Sequence, residues 1–231
     1  MVEAEADLIV EWYLEVETRL RHFLESIPYR HDTRDLPFVP LASIFLDTCS
    51  ILDGVFRALS SRQEDRSQLT IAEFAPEYEA RLGLGQRRSL FLRFPSAVLR
   101  PFKDWVSAVG TYQKLSWWSD HNDLKHDRVA ASARATLANC TSSVCALQQV
   151  LSQLPQFFQA STRHGLLHFG TLNVAWARDN IYDTPGHQTI LFESQLFATP
   201  IGARCFPDAA DAIDPISYGN GERLWRFMLP A

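Results

Sequence analysis

The chain has 231 residues, 46% of them apolar and 21% charged, and a formal net charge of -5. That length and balance suit a globular protein with a real core, either one domain with an appendage or two small ones. The negative charge argues against a surface that grips nucleic acid indiscriminately, because such surfaces release counterions from many phosphates at once. No uninterrupted apolar run approaches the roughly 20 residues of a membrane span. The acidic start, Met1 to Asp7, is unlike a secretory signal, so a cytoplasmic protein with no membrane contact is expected.

The first element is a long amphipathic helix over residues 3 to 26, with Leu8, Ile9, Trp12, Val16, Leu20, Phe23 and Leu24 as its inner face, ended by Pro28. A loop from His31 to Pro40 turns the chain back. A second helix over 41 to 60 puts Ile44, Phe45, Thr48, Ile51, Leu52, Val55, Phe56 and Leu59 inward. Both stripes read as core packing of a helical bundle. After a polar loop, Ser60 to Gln68, Thr70 and Glu73 form a capping-box pattern for a short helix that buries Phe74, Tyr78 and Leu82 and stops at Gly83. The stretch from Ser89 to Pro95 is ambiguous, and Pro101 to Trp105 reads as the start of another short helix.

Val129 to Leu154, rich in alanine, leucine and serine, reads as a long helix ended by Pro155. From Leu167 the pattern changes: His168 to Ala175 and Thr189 to Phe197 suit two antiparallel strands around a turn at Asp179 to Gly186. An irregular tail through Pro207, Pro215 and Gly219 to Gly221 follows, with a final strand at Leu224 to Met228. Cys49, Cys140, Cys145 and Cys205 have no CxxC spacing and no histidine at ligand distance, so reduced thiols and no structural zinc are expected. Asp208, Asp211 and Asp214 lack other ligands nearby and read as a solvated turn. No metal and no cofactor is expected.

The densest chemistry lies in Ser116 to Arg128, Ser-Trp-Trp-Ser-Asp-His-Asn-Asp-Leu-Lys-His-Asp-Arg. On a helix Asn122 and His126 share one face, and His121 and Lys125 form a second pair beside them. Trp105, Trp117 and Trp118 would wall the cluster, or stack on a base. Structurally, Asp127 with Arg128 and Asp123 with Lys125 could satisfy one another and cap helix ends.

Two long helices, an insertion, an Asn-x-x-x-His motif near a helix terminus and a further long helix resemble the HEPN superfamily. The stretch from Trp117 to Arg128 looks like a bacterial branch with a Trp-Trp, Tyr-Asn, Lys-His-Asp-Arg pattern. The resemblance implies an antiparallel helical bundle, a homodimer, and an RNA-directed defence or toxin-antitoxin protein with a cognate partner, in many members a metal-independent endoribonuclease. Asn122 then matches the polar position and His126 the histidine, while His121 stands where the family has arginine. Metal-free cleavage by the 2′-hydroxyl needs a base, an acid and a cation. His126 and His121 would be the imidazoles, Lys125 and Arg128 would hold the phosphate, Asn122 would orient either group, and Trp117, Trp118 and Asp127 would support them. The alternative is a non-catalytic module that binds a nucleotide, RNA or protein. Arg163 and His168 repeat the Arg-polar-x-x-x-His lettering in a poorer setting, and His22, His31 and His187 have no evident partners. The expected architecture is mainly α, a HEPN-like bundle over 1–155 with an extension over 156–231 containing some β structure.

Overall fold

A computed structural model describes residues 3–61, 69–93, 97–171 and 188–200. The polar loop beyond 61, the turn at Asp179 to Gly186, Cys205, the three tail carboxylates and the last strand expected at 224–228 lie outside the described residues. What is described is mainly helical with a small antiparallel sheet.

The first helix, α1, spans Glu3–Ser26, with Glu3 and Glu5 in its first turn favourable to the helix dipole. Its buried row is Ala6, Val10, Tyr13, Val16, Glu17, Leu20 and Leu24. The expected face is met in part: Val16, Leu20 and Leu24 are buried and Ile9 and Phe23 partly so, but Leu8 and Trp12 are 43% and 48% exposed. The row runs instead through two residues that look polar by letter. Glu17, 1% exposed, accepts from the Tyr13 hydroxyl at 3.0 Å, the Leu196 backbone N–H at 3.0 Å and the Ser194 hydroxyl.

Helix α2, Val39–Leu59, buries Leu41, Ile44, Phe45, Thr48, Leu52, Val55 and Phe56, close to the expected stripe, while Ile51 and Leu59 are only partly buried. By length and composition α2 could cross a membrane, although no uninterrupted apolar run marks it; here it packs against α1 and the later helices of the bundle as a core element. Helix α3, Ile71–Leu82, starts with the Thr70/Glu73 capping box and ends at Gly83, whose φ of 60° is the left-handed conformation that glycine tolerates.

Two three-residue strands follow, β1 (Ser89–Phe91) and β2 (Ala97–Leu99). The helix expected from Pro101 is a turn: Asp104 takes φ 58°, and the Trp105 N–H closes onto the Phe102 carbonyl at 3.1 Å. Helix α4 spans Ser116–His126. The helix expected from Val129 starts later, as α5, Leu137–Gln153. The Asp127 carboxylate takes the Val129 and Ala130 N–H groups at 3.1 and 2.9 Å, holding the intervening chain in turns, and Thr136 restarts the helix by accepting from the Asn139 N–H. Helix α6 is Phe158–Arg163, and the remaining strands are β3 (Leu167–Thr171), β4 (Gln188–Glu193) and β5 (Phe197–Pro200).

The sheet order is β2-β1-β5-β4-β3, antiparallel throughout, with Leu90 opposite Ala198 and Phe91 opposite Phe197. Segments 1–155 and 156–231 therefore share one sheet. Helix α5 is buried nearly all round and joins bundle to sheet. Gln148 donates from Nε2 to the Phe192 and Phe197 carbonyls at 3.1 and 3.2 Å and accepts from the Thr199 hydroxyl, while Gln149 donates to Ser89 Oγ at 2.9 Å. Such bonds are needed, because an unpaired polar group at this depth costs about 1–3 kcal/mol.

Candidate functional site

Helix α4 is anchored by its aromatic side. Trp117, Trp118, His121 and Leu124 are buried, while Asn122, Lys125 and His126 are exposed. The Trp117 indole donates to the Pro101 carbonyl at 2.7 Å and packs edge-on against Trp118 with centroids 5.5 Å apart; the Trp105 indole donates to Glu79 at 2.6 Å. These rings are 5% exposed or less, so they anchor the helix rather than offer faces for base stacking. Lys125 and His126 fall in the last turn, where positive charge suits the helix dipole.

A cavity of about 460 Å³ lies between α2, the start of α3 and α4, within the size range of small-molecule sites. Trp118, His121, Asn122, Lys125 and Arg128 line one wall, at the 3-4 spacing of a single helical stripe continued past the helix end. The opposite wall carries Asp47, Ser50, Asp53 and Arg57 of α2. Asp53 holds Arg57 through contacts of 2.7 and 3.3 Å, and Asp47 holds Arg19 at 2.7 Å. Sequence reasoning misses these α2 residues, because the helix reads as core alone. Their signal is Asp47, Ser50, Asp53 and Arg57 at three- and four-residue intervals along an otherwise apolar helix.

The structure brings His121, Asn122, Lys125, Arg128 and Trp118 to this cavity; His126, Trp117 and Asp127 are not among its lining residues. The ion pairs considered within the motif do not form. Asp127 caps the following turn, Asp120 pairs with Arg134 at 3.2 Å and accepts from Asn139 at 2.9 Å, and Asp123 reaches Arg134 only at 3.9 Å. Lys125 and Arg128 consequently have no ion-pair partner among the described residues.

His121 is 5% exposed, between Phe45 and Trp118 with ring centroids 5.9 and 5.4 Å away, and its Nδ1 is buried without a hydrogen-bond partner among the described residues. Burial is the main force lowering its pKa to about 4, with Lys125 and His126 acting in the same direction against Asp53 and the Asn122 side chain. Near neutrality it is an uncharged imidazole.

Arg163 of the second candidate motif is a surface tie. Its guanidinium grips Asp7 at 3.1 and 2.6 Å and Glu3 at 2.6 Å, fastening α6 to α1. Cys49, Cys140 and Cys145 are buried free thiols, with burial pushing all three pKa values up, which makes them poor nucleophiles. Among the described residues no group of three or more His, Cys, Asp or Glu side chains is placed to hold a metal.

A scan against protein-family models found no match, and neither did searches of curated proteins and of solved structures.

Proposed function

We propose that the chain is an RNA-directed, HEPN-like protein that grips RNA phosphate at the mouth of the α2–α4 cavity. The observation that carries this reading is the placement of Lys125 and Arg128, two cations without ion-pair partners among the described residues, on the rim of a cavity whose wall holds a neutral imidazole. Unpaired cations at a concave site favour a phosphate, and the exposed Asn122 amide beside them can orient it. Cations left without ion-pair partners on the α4 rim alone also reconcile an anionic partner with a net-negative chain.

The HEPN resemblance supplies the RNA, the bacterial defence or toxin-antitoxin setting with its partner protein, and the homodimer. In the endoribonuclease form of this reading, proton transfer falls to His126, exposed in the last turn of α4. His121, with its pKa lowered to about 4, holds too little imidazolium near neutrality to act as the general acid. A second acid-base group would come from His126 of a second copy.

The test is binding and cleavage of a mixed single-stranded RNA pool in chelator. Lys125→Ala with Arg128→Ala should weaken binding at least tenfold and reduce the salt dependence by roughly 1.4 in slope, about 0.7 for each phosphate that is no longer neutralised. Unchanged binding in that variant refutes the proposal. Cleavage abolished by His126→Ala at unchanged RNA binding identifies the endoribonuclease form; binding without any cleavage by the wild type identifies the non-catalytic module.

A further inference from the structure

Resting on the phosphate-grip reading, we infer that the interior of the α2–α4 cavity holds the base of an unpaired nucleotide and favours bases that carry an exocyclic amino group over uracil.

The argument starts from how charge is divided across the cavity. Lys125 and Arg128 belong to the α4 side, whereas Asp47 and Asp53 belong to the facing α2 wall, with Ser50 between them. A phosphate drawn to the cations is repelled by the carboxylates, so it stays at the α4 rim. The part of the ligand directed at α2 must then carry no negative charge and be rich in hydrogen-bond donors, because a carboxylate only accepts. A nucleotide has this division, an anionic end and a neutral, polar, planar end. The volume of about 460 Å³ admits one nucleotide unit.

Among the described residues two polar atoms on these walls have no partner, a carboxylate oxygen and a ring nitrogen that accepts when the imidazole carries its proton on Nε2. Arg19 occupies Oδ2 of Asp47, which leaves Oδ1 available. The His121 ring lines the same cavity, and its Nδ1 is buried without a partner among the described residues. A buried polar atom in that state gains from a ligand that completes its bonding. Arg57, held by Asp53, is kept from drawing the phosphate inward. An exocyclic amino group offers two donor hydrogens to this wall, whereas uracil offers one, N3–H, flanked by two carbonyl acceptors that face other acceptors.

Cytidine and uridine 5′-monophosphates provide the test, because the amino donor and N3 acceptor of one are replaced by the carbonyl acceptor and single N3–H donor of the other. Calorimetric titration of the intact chain should show cytidine monophosphate binding at least tenfold more tightly, the scale of one charge-assisted hydrogen bond. Asp47→Asn turns an acceptor-only group into a mixed one and should shrink that ratio to below threefold. Asp47 is half exposed and, among the described residues, bonded to Arg19 alone, so the variant is expected to fold, which its circular dichroism and denaturation midpoint check. Equal affinity for the two nucleotides, or a ratio unmoved by Asp47→Asn, overturns the inference. The RNA pool serves as the control: Lys125- and Arg128-dependent RNA binding with no base preference leaves the phosphate grip standing and removes base recognition. Tight cytidine monophosphate binding without RNA binding keeps the base-reading cavity and replaces RNA with a free nucleotide.

Discussion

His121→Phe should remove a specific acid sensitivity from this fold. In the native state His121 has a pKa of about 4, against an unfolded value near 6.5. The depressed value means that the unfolded chain binds a proton more readily. The stabilisation is complete above pH ~6.5 and is lost as pH falls toward the folded value. At pH 5 the two values imply a loss of about 2 kcal/mol relative to pH 7.5, a large share of a typical domain's stability. Asp53 on α2 and Lys125 and His126 on α4 also face this ring, and they stay in place in the variant, so the comparison isolates the imidazole. Phenylalanine keeps the contacts with Phe45 and Trp118 and has the adjacent cavity for its extra volume. Urea denaturation at pH 5.0 and 7.5 should show the wild type losing about 2 kcal/mol more than His121→Phe across that interval. Equal losses would refute the claim that a buried neutral imidazole sets the acid response.

Glu17→Ala should cost about 3 kcal/mol in the same assay, since it strips the acceptor from Tyr13, Ser194 and the Leu196 N–H. Burial raises the Glu17 pKa above 4.5, so its protonated form favours folding at low pH and that contribution is lost as pH rises through the raised value; Glu17→Gln, which mimics the protonated acid, should cost about 1 kcal/mol or less and flatten this slope. Tyr13→Ala should cost about 3 kcal/mol or more, whereas Trp12→Ala, at a position 48% exposed, should cost about 1 kcal/mol or less; comparable losses would overturn the assignment of the α1 inner face.

Local features are the most legible in the sequence. Thr70, Glu73 and Gly83 mark both ends of α3 because capping bonds and a left-handed residue involve only near neighbours. The α2 stripe is readable because its core face is mostly apolar. On α1 the apolar letters find Val16, Leu20 and Leu24 but misplace Leu8 and Trp12, because Tyr13 and Glu17 are buried by bonds to Ser194 and Leu196, about 180 positions away, which no local periodicity reports. Alanines before Leu137 suit a helix and suggest too early a start for α5, since the competing capture of two N–H groups by Asp127 depends on side-chain geometry. Only half of the cavity is visible for a similar reason. His121, Asn122, Lys125 and Arg128 lie in one stretch, but the Asp47 to Arg57 row acquires its meaning only when tertiary packing sets it opposite α4.

The sheet has a consequence for the order in which the protein can be made. β1 leaves the ribosome about 100 residues before β5, yet its inner edge is completed only when Leu90 meets Ala198. The helices can associate earlier through nearer contacts, but in that interval β1 presents an unpaired edge and Gln148 lacks the Phe192 and Phe197 carbonyls that receive its bonds. Long-range pairing of this kind is slow, and an open edge can recruit another chain. Successful folding therefore depends on residues 188–200 reaching the sheet before a neighbouring nascent chain does, so the yield of native protein should be governed by synthesis rate and concentration more than by the intrinsic strength of the helical core.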